Sequence, residues 1–377
     1  MIHKERMLRE FFELVQIPCS TRQERQIADL LTKKLEALGF SVTEDDAGKI
    51  LGGTSGNLIA TLPATKKGTP ILMLTAHMDC VEPCGEIHPR IEDGIIRSDG
   101  TTILGADDKA GVTSILEALR VIDEEKIPHG AIQVVFTVAE EGGVNGSKNM
   151  NRSLLTADFG YTLDTGGHPG KIVSKAPGQD KLFIKIKGKA AHAGLAPEKG
   201  INAITAAGII MADLPYCRID EETTFNIGTI RGGKATNIVP DLVEIAAETR
   251  SRNKEKLAAL TQRICKIFEE GATRTGTEVS IEISHSYDPY SHDPEAPVVH
   301  FAAQAAEKLG FPVQVVESGG GSDANFYNTY GVPCAVLGVG MTNAHTTEEH
   351  IAEQDLYDAA ALTLQIIKDT AAIKTDL

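Results

Sequence analysis

The sequence predicts an α/β fold in which an α/β/α domain with a mixed sheet is interrupted by an inserted ferredoxin-like α+β domain. Three observations support this prediction. The 377 residues exceed what a single hydrophobic core usually serves. Short continuous apolar runs alternate with helical patterns over most of the chain. Between residues 178 and 291 the pattern changes to strands in which polar and apolar residues alternate.

The N-terminal segment predicts two helices and no export signal. The first helix ends at Pro18, and the second runs from about Arg22 to Leu38, with Gly39 as its C-terminal stop. No apolar stretch with a cleavage site follows Met1, so we expect a cytoplasmic protein.

Strands covered on both faces are predicted in the first and last parts of the chain. They are the apolar runs Ile71–Ala76, Ile132–Val138 and Val332–Val339. Helical patterns lie between these runs, at Gly111–Glu125 and Ala296–Leu309. This alternation predicts a sheet with helices on both sides.

The middle part of the chain predicts a smaller α+β domain. Residues 181–187 alternate polar and apolar side chains, which suits a strand with one face in water. The later elements are helix Ile201–Asp213, strands Phe225–Ile230 and Asp241–Thr249, helix Lys254–Glu270 and strand Glu278–Ser284. Their order, β-α-β-β-α-β, is the ferredoxin-like split pattern. We therefore predict that residues 1–177 and 292–377 form the larger domain and that residues 178–291 form the inserted one.

The composition argues against nucleic acid and membranes as partners. The formal net charge is −15, and no Lys/Arg cluster offsets it locally, so phosphate backbones and anionic lipids are repelled. No apolar run approaches the length of a membrane span. The six cysteines are scattered, and in a cytoplasmic protein they are expected to be free thiols.

Chemically reactive side chains follow the predicted strands at the point where each strand ends. They are His77 and Asp79 after the first run, Glu140 and Glu141 after the second, Asp164 after Tyr161-Thr162-Leu163, the Asp107–Asp108 pair just before a helix, and His345 after the third run. In an open α/β sheet, ligands bind outside the carboxyl ends of the strands. We therefore expect these side chains to meet at one edge of the sheet.

Metal chemistry explains this set better than acid–base chemistry by itself. Two divalent ions about 3.5–4 Å apart need a carboxylate that bridges them, further N or O ligands and an open position for water. The sequence supplies that number of ligands, with His77, Asp107 and Asp164 for one ion and Asp107, Glu141 and His345 for the other. Zinc is the preferred metal, and cobalt or manganese also suits imidazole and carboxylate ligands.

Two further residues are assigned roles beside the ligands. The Asp79 carboxylate can accept the second ring N–H of His77 and so fix its tautomer. Glu140 is placed to take a proton from the water between the ions and to pass it to the leaving amine. Each motif alone is common on protein surfaces, and either Asp107 or Asp108 can also cap a helix. Their joint occurrence at strand ends is what indicates a metal centre.

The motifs resemble those of the M20 metallopeptidase family and, within it, the peptidase T group of tripeptide aminopeptidases. The resemblance rests on Thr75-Ala76-His77-Met78-Asp79, Gly105–Gly111, Ala139-Glu140-Glu141-Gly142 and Asn343-Ala344-His345, which together span nearly the whole chain. It implies the ligand assignments given above, with Asp107 bridging and Glu140 as the general base. It also implies that the larger domain is catalytic and that the inserted domain is a lid.

The resemblance adds site residues in the inserted domain. His192 matches a histidine that, in dimeric relatives, reaches a neighbouring subunit's site and stabilises the oxyanion. This match implies a homodimer formed through the lid. Asn237 and Arg250 match positions that hold the substrate's carbonyl or carboxylate, and the planar guanidinium of an arginine binds a carboxylate bidentately.

A glycine run, Gly319–Gly321, precedes a predicted helix. The backbone N–H groups of Gly320 and Gly321 are therefore expected to bind a substrate carboxylate or carbonyl. The chain departs here from peptidase T, whose pattern has an arginine just before the paired glycines, where this chain has Gly319. The departure affects the expected preference for tripeptides and leaves the metal chemistry unchanged.

The sequence thus predicts a metallo-aminopeptidase that acts on short peptides, and two other interpretations stay open. One is a carboxypeptidase or an N-acyl-amino-acid deacylase with the same chemistry. The other is a non-catalytic protein that binds a metal or a small molecule on the same scaffold. Glu140 argues against the second, because a binding protein has no use for a general base. Which carboxylate holds the substrate's amine also stays open.

Overall fold

The computed structural model describes residues 1–215 and 217–374, and within these ranges the chain forms two compact units. The inserted unit comprises Ala176–Tyr290 and Gly319–Gly321. The larger unit comprises the residues before, between and after those two segments. The predicted inserted segment is 178–291; Gly319–Gly321, predicted in the larger domain, belong to the inserted unit because they cluster with its residues.

The helices of both units are numbered in chain order. They are α1 (Lys4–Val15), α2 (Arg25–Ala37), α3 (Ala47–Leu51), α4 (Ala106–Glu124), α5 (Asn145–Lys148), α6 (Ala203–Met211), α7 (Lys254–Thr275), α8 (Pro297–Lys308), α9 (Asp323–Thr329) and α10 (Glu353–Thr370). In the part of the chain that the structure describes, none of them is both long enough and apolar enough to cross a membrane.

The strands are numbered in the same way. They are β1 (Ser41–Glu44), β2 (Leu58–Leu62), β3 (Leu72–His77), β4 (Arg90–Glu92), β5 (Ile95–Arg97), β6 (Ile132–Thr137), β7 (Phe159–Thr165), β8 (Lys171–Ala176), β9 (Gly178–Lys187), β10 (Cys217–Arg218), β11 (Thr223–Gly232), β12 (Leu242–Ser251), β13 (Glu278–Tyr287), β14 (Tyr290–Ser291), β15 (Gln314–Glu317), β16 (Cys334–Gly338) and β17 (His350–Ala352). Strands β4, β5 and β17 form a small sheet of their own.

The main sheet of the larger unit has the strand order β1-β2-β6-β3-β7-β16-β8-β14, with β15 also paired to β8. Its neighbouring strands β6, β3, β7 and β16 are parallel. Every residue of β3, β6 and β16 is buried. Burial on both faces explains why these strands are continuous apolar runs in the sequence. The predicted α/β class with a mixed sheet is confirmed.

Helix α4 lies in the interior of the larger unit. It packs against strands β3 and β7 and is in contact with helices α1 and α10. Arg6 of α1 donates from Nε to the Glu117 carboxylate of α4 at 2.8 Å, and the Glu117 side chain is fully buried. A buried carboxylate needs such a partner, because an unpaired charge in the interior is costly. This packing holds the first turn of α4, which contains Asp107, at one end of the sheet.

Several helix boundaries differ from the sequence prediction: α7 extends to Thr275 rather than Glu270, and α2 and α4 differ at their starts. Helix α2 begins at Arg25 rather than at about Arg22. Arg22 has a φ of 73°, and its N–H donates to the Glu24 carboxylate at 2.7 Å, so the chain turns here before the helix starts. Helix α4 includes residues from Ala106, earlier than the predicted Gly111, but Asp107 (φ −82°, ψ 102°) and Asp108 (φ −121°, ψ 37°) are not helical, so the regular helix starts after Asp108.

The sheet of the inserted unit is antiparallel and has the strand order β10-β11-β12-β9-β13. Buried and exposed residues alternate along β9 from Leu182 to Lys187, as the period of two in the sequence predicts. Helices α6 and α7 pack against each other and against the sheet. Apart from the two-residue strand β10, the element order is the predicted β-α-β-β-α-β.

The inserted unit has a hydrophobic core of its own, and Phe268 of α7 lies in it with none of its surface exposed. We expect Phe268→Ala to lower the free energy of unfolding of this unit by about 3–5 kcal/mol, because the change leaves a cavity in a packed core. Denaturant unfolding with hydrogen exchange in the inserted unit measures this. Phe183→Ala is the matched control, since Phe183 is 43% exposed. Equal losses in the two variants would contradict the prediction.

Candidate active site

The predicted site residues of the larger unit follow neighbouring parallel strands, at the same edge of the sheet. His77 is the last residue of β3, and Asp164 lies near the end of β7. Glu140 and Glu141 belong to the turn that follows β6, and His345 lies in the loop between β16 and β17. The sheet order β6-β3-β7-β16 therefore brings these loops together, as expected for the carboxyl ends of parallel strands.

The structure gathers the predicted metal ligands into two groups, each with its ligand atoms within 4.8 Å of one another. In the first group, His77 Nε2 lies 3.0 Å from Asp107 Oδ1 and 3.8 Å from Asp164 Oδ1. In the second, His345 Nε2 lies 2.9 Å from Glu141 Oε1 and 3.2 Å from Asp107 Oδ2. The two oxygens of Asp107 thus face different groups.

The donor set of these groups fits two divalent cations that share a carboxylate. Ligand atoms about 2.0–2.2 Å from a zinc ion lie roughly 3–3.5 Å from each other, which is close to the separations found here. Glu141 Oε1 is buried and has no hydrogen-bond partner among the described residues, although the His345 ring nitrogen lies beside it. A cation between these two atoms would satisfy both of them.

Negative charge exceeds positive charge in the cluster, and the pKa values reflect this excess. Burial raises the pKa of Asp164 well above its usual value, and the neighbouring Asp107 and Asp108 raise it further against the opposing effect of His77. The adjacent carboxylates of Asp107 and then Glu141 raise the pKa of His345 to about 10. Such a collection of buried carboxylates is the environment that divalent cations neutralise.

Glu140 lies beside the ligand groups without belonging to either of them. Its N–H donates to Asp79 Oδ1 at 2.9 Å, and the N–H of Glu141 donates to Asp79 Oδ2 at 3.3 Å. Burial raises the pKa of the Glu140 carboxyl well above its usual value, and the Asp164 carboxylate adds to the shift. Glu141 belongs to the second ligand group, and the adjacent Glu140 belongs to neither.

The Asp79 carboxylate lies beside the second ring nitrogen of His77, as predicted, and has further partners. The second ring nitrogen of His77, Nδ1, lies 3.0 Å from the main-chain carbonyl oxygen of Asp79, whereas the Asp79 carboxylate is 3.6 Å away. That carboxylate accepts hydrogen bonds from the turn that carries Glu140 and from the Thr21 hydroxyl, which is 2.7 Å away. Asp79 thus contacts His77 through both its carbonyl and its carboxylate, and its carboxylate also bonds to the Glu140 turn.

The two aspartates at the start of α4 have different partners. The peptide bond between Asp107 and Asp108 is cis. The Asp108 carboxylate accepts hydrogen bonds from the N–H groups of Gly111 and His77, both at 3.2 Å. Of the two possible helix caps, Asp108 is therefore the one that bonds to the helix backbone, and Asp107 faces the two histidines.

Two buried residues that the sequence prediction did not select support the site. Glu349 has 1% of its surface exposed and bonds to the backbone at the start of α4. Lys109 is fully buried, and its ammonium donates to the carbonyl of Met78 at 2.6 Å and to the Cys80 thiol at 3.1 Å. The sequence could have indicated Lys109, because this residue lies next to Asp108 in the Gly105–Gly111 motif. Glu349 had no such signal.

A third group of possible ligands, His168, Asp355 and Asp358, lies elsewhere in the larger unit. His168 Nδ1 is 2.5 Å from the carbonyl oxygen of Pro169, and Nε2 lies 3.5 Å and 3.6 Å from the two carboxylates. The ring is 41% exposed. Contacts of the His168 ring with the Pro169 carbonyl and the two aspartates account for this geometry, and we assign no metal to it.

The structure places the predicted site residues of the inserted unit in two pairs of neighbours. His192 forms a β-bridge with Ile238, and the N–H of Ala193 donates to the carbonyl of Asn237 at 3.0 Å. Arg250 donates from Nη1 to the carbonyl of Gly319 at 3.5 Å, next to Gly320 and Gly321. The loop of His192 therefore adjoins Asn237, and Arg250 adjoins the glycine run.

Known proteins resemble this chain over nearly its full length. The family model for peptidase family M20/M25/M40 matches residues 73–369. Peptidase T of Geobacillus kaustophilus is 31% identical over 93% of this chain and 92% of its own length. The crystal structure of aminopeptidase PepT from Bacillus cereus has a TM-score of 0.93 at 47% identity, covering 98% of this chain and 99% of the other. That of a tripeptidase from Staphylococcus aureus has a TM-score of 0.96 at 42% identity, covering 99% and 100%.

These matches cover both units and agree with the motifs found at the strand ends. The fold and the family resemblance inferred from the sequence are confirmed. The chain belongs to peptidase family M20/M25/M40 and is a peptidase T-like hydrolase within it.

Proposed function

We propose that this protein removes the N-terminal residue from short peptides, tripeptides among them, with two divalent metal ions bound in the larger unit. The observation that carries the proposal is the division of Asp107, whose two oxygens each face a different histidine. A carboxylate in that position can bridge two ions. The names of the similar proteins, an aminopeptidase and a tripeptidase, support the substrate class.

The ligand assignment follows the two groups. His77, Asp107 and Asp164 would hold one ion, and Asp107, Glu141 and His345 would hold the other. Imidazole and carboxylate favour zinc, and cobalt or manganese also accepts them. When bound, such ions polarise the scissile carbonyl and increase the acidity of a water molecule between them.

The protein's own contribution to the chemistry is centred on Glu140. Its carboxylate would accept a proton from the attacking water and donate it to the nitrogen of the leaving group. The two main-chain hydrogen bonds that Asp79 accepts hold the turn of Glu140 and Glu141 in place, so the base and its neighbouring ligand keep a fixed separation. Thr21 holds the Asp79 carboxylate in turn.

The inserted unit would supply the groups that bind the substrate. His192 Nδ1 accepts hydrogen bonds from the N–H groups of Gly194 and Leu195, at 3.2 Å and 3.1 Å. The neutral ring therefore carries its proton on Nε2, where it can donate to an oxyanion. Arg250, Asn237 and the N–H groups of Gly320 and Gly321 would bind the substrate's carbonyl and carboxylate oxygens. The larger unit is then the catalytic domain and the inserted unit a lid.

The proposal also includes a homodimer formed through the lid and a cytoplasmic location. Both rest on the family resemblance and the sequence pattern. Gly319 stands where the peptidase T pattern has an arginine, and this difference affects the expected preference for tripeptides. Cleavage of dipeptides, tripeptides and tetrapeptides should therefore be compared.

The test is peptide cleavage by the metal-reconstituted protein. A tripeptide, its N-acetylated form and its C-amidated form would be compared, together with the free dipeptide and tetrapeptide. We expect release of the N-terminal residue from the free tripeptide. N-acetylation should lower kcat/KM about 10⁴-fold, because a site built to hydrogen-bond an amine is left with unpaired groups.

The other interpretations predict different results. Turnover of the acetylated peptide, with loss of activity after C-amidation, would identify a carboxypeptidase or a deacylase with the same chemistry. Binding of two ions with no turnover of any substrate would favour the non-catalytic binding protein.

A further inference from the structure

One loop of the larger unit carries both the ligand His345 and the buried Glu349. The loop is closed at its base by Thr342 and His350, which exchange two main-chain hydrogen bonds at 2.9 Å and 3.0 Å. Within it, the N–H of Glu349 donates to the carbonyl of Thr346 at 3.1 Å. These bonds fix the two side chains relative to each other. The loop of residues 342–350 is called the histidine loop below.

The Glu349 carboxylate joins the histidine loop to the start of α4. It accepts hydrogen bonds from the N–H groups of Leu104 at 2.8 Å, Gly105 at 2.7 Å and Asp107 at 2.9 Å. These N–H groups belong to the non-helical segment that leads into the regular part of α4, where no helical carbonyl accepts from them, so another group must bond to them. Because Glu349 is 1% exposed, water cannot easily replace it.

The histidine loop and the start of α4 are also in contact through two of the candidate metal ligands. His345 Nε2 of the histidine loop lies 3.2 Å from Asp107 Oδ2 of α4. Glu349 bonds to the backbone N–H of Asp107, and His345 faces the side chain of that same residue. The distance between the two ligands is therefore set by a second, metal-independent connection between their backbones.

We infer that Glu349 is a positioning residue for the metal pair, holding Asp107 and His345 at the separation that one ion requires. The inference rests on the two-ion function proposed above. Both oxygens of Glu349 accept from backbone donors, and Glu349 belongs to neither group of candidate ligands. Glu141, by contrast, directs a buried oxygen at the His345 ring nitrogen, 2.9 Å away, and receives no backbone donor on that oxygen among the residues described.

A positioning role for Glu349 predicts a change in metal affinity, which the loss of a helix cap alone would not cause. A cap contributes stability, and its removal leaves metal affinity unchanged once the protein is folded. A group that orients metal ligands changes the affinity of the site, typically by about 10–100-fold. Because Asp107 is shared by both groups, the loss of Glu349 should weaken the binding of both ions.

The test compares Glu349→Gln with Glu348→Gln. Glutamine keeps the shape of Glu349 and replaces one accepting oxygen with an NH₂ group, which faces backbone donors and cannot accept from them. Glu348 is the adjacent residue in the histidine loop and is exposed, so it receives the same chemical change without the backbone contacts. Metal-free protein would be titrated with Co²⁺, with binding followed by calorimetry and by the visible absorption of the bound ion.

We expect both Co²⁺ dissociation constants to rise about 10–100-fold in Glu349→Gln, with an altered absorption spectrum, and to stay at the wild-type values in Glu348→Gln. Wild-type affinity in a folded Glu349→Gln protein would overturn the inference, even if its melting temperature fell. If Glu349→Gln does not fold, Glu349→Asp replaces it, because aspartate keeps the charge but is one methylene shorter; unchanged affinity there would likewise overturn the inference.

The same titration separates this inference from the function on which it rests. Failure of the wild-type protein to bind two ions would overturn the two-ion proposal, and the positioning role with it. Two ions bound equally well by the wild-type and Glu349→Gln proteins would overturn the positioning role alone.

Discussion

Replacing Glu140 with glutamine is expected to lower kcat about 10²–10⁴-fold while both metal ions remain bound. General acid–base catalysis by a positioned side chain contributes about this factor. Glutamine has nearly the same shape as glutamate but cannot accept a proton from water or return it to the leaving nitrogen. The main-chain hydrogen bond from Glu140 to Asp79 is unaffected by the change, so the turn should keep its conformation.

Metal content and steady-state kinetics, measured on the same preparation, decide between the roles open to Glu140. Glu86→Gln is the matched control, because Glu86 is exposed in the larger unit. Glu140→Asp should recover part of the lost activity, since it keeps a carboxylate that lies one methylene farther from the water. Loss of an ion in Glu140→Gln would mean that Glu140 is a ligand, and wild-type kcat would mean that it transfers no proton.

The sequence predicts best the strands that are buried on both faces. Strands β3, β6 and β16 are short apolar runs because helices or other strands cover both of their faces, and no neighbouring structure is needed to recognise them. In β9 the period of two is visible because one face is exposed. In these elements the local pattern and the tertiary environment agree.

The sequence prediction omitted strands that form only because they pair with a neighbouring strand. Strand β1 is four residues long and mostly exposed, and it is a strand because it pairs with β2. Strand β15 likewise depends on its pairing with β8. Helix α10 differs from these, since Leu356, Ala360 and Leu364 recur at helical spacing and are buried. The sequence therefore contains the signal for α10, although the prediction above omits it.

The meeting of the candidate ligands that follow strands was predictable, because it depends on the order and direction of the strands. Side chains at the carboxyl ends of adjacent parallel strands meet whatever the details of their loops. The finer contacts depend on loop conformation, which the sequence does not reveal. Ala139 and His345 have φ values of 50° and 67°, in a region that residues other than glycine seldom adopt. The contacts of Glu349 and the contact of the Asp79 carbonyl with His77 follow from loops of this kind.

Replacing Asp107 with asparagine is expected to remove activity almost completely, by about 10³-fold or more, and to weaken the binding of both ions. Metal ions contribute several kcal/mol to transition-state stabilisation, and each 1.4 kcal/mol corresponds to about tenfold in rate. An asparagine side chain has one oxygen and no charge, so it cannot bridge two cations as the Asp107 carboxylate would. Asp93→Asn is the matched control, because Asp93 is exposed in a turn with a φ of 51°, which asparagine also adopts.

A comparison with His345→Ala tests the bridging role directly. His345 faces one group of ligands, whereas Asp107 faces both, so the alanine variant should lose one ion and retain the other near wild-type affinity. Metal content after dialysis and the two dissociation constants measure this difference. If Asp107→Asn also lost only one ion, the Asp107 carboxylate would coordinate a single ion. The position of its two oxygens between the two groups would then play no part in metal binding. If two cations share this carboxylate, Asp107→Asn must lose affinity for both ions, and His345→Ala must not.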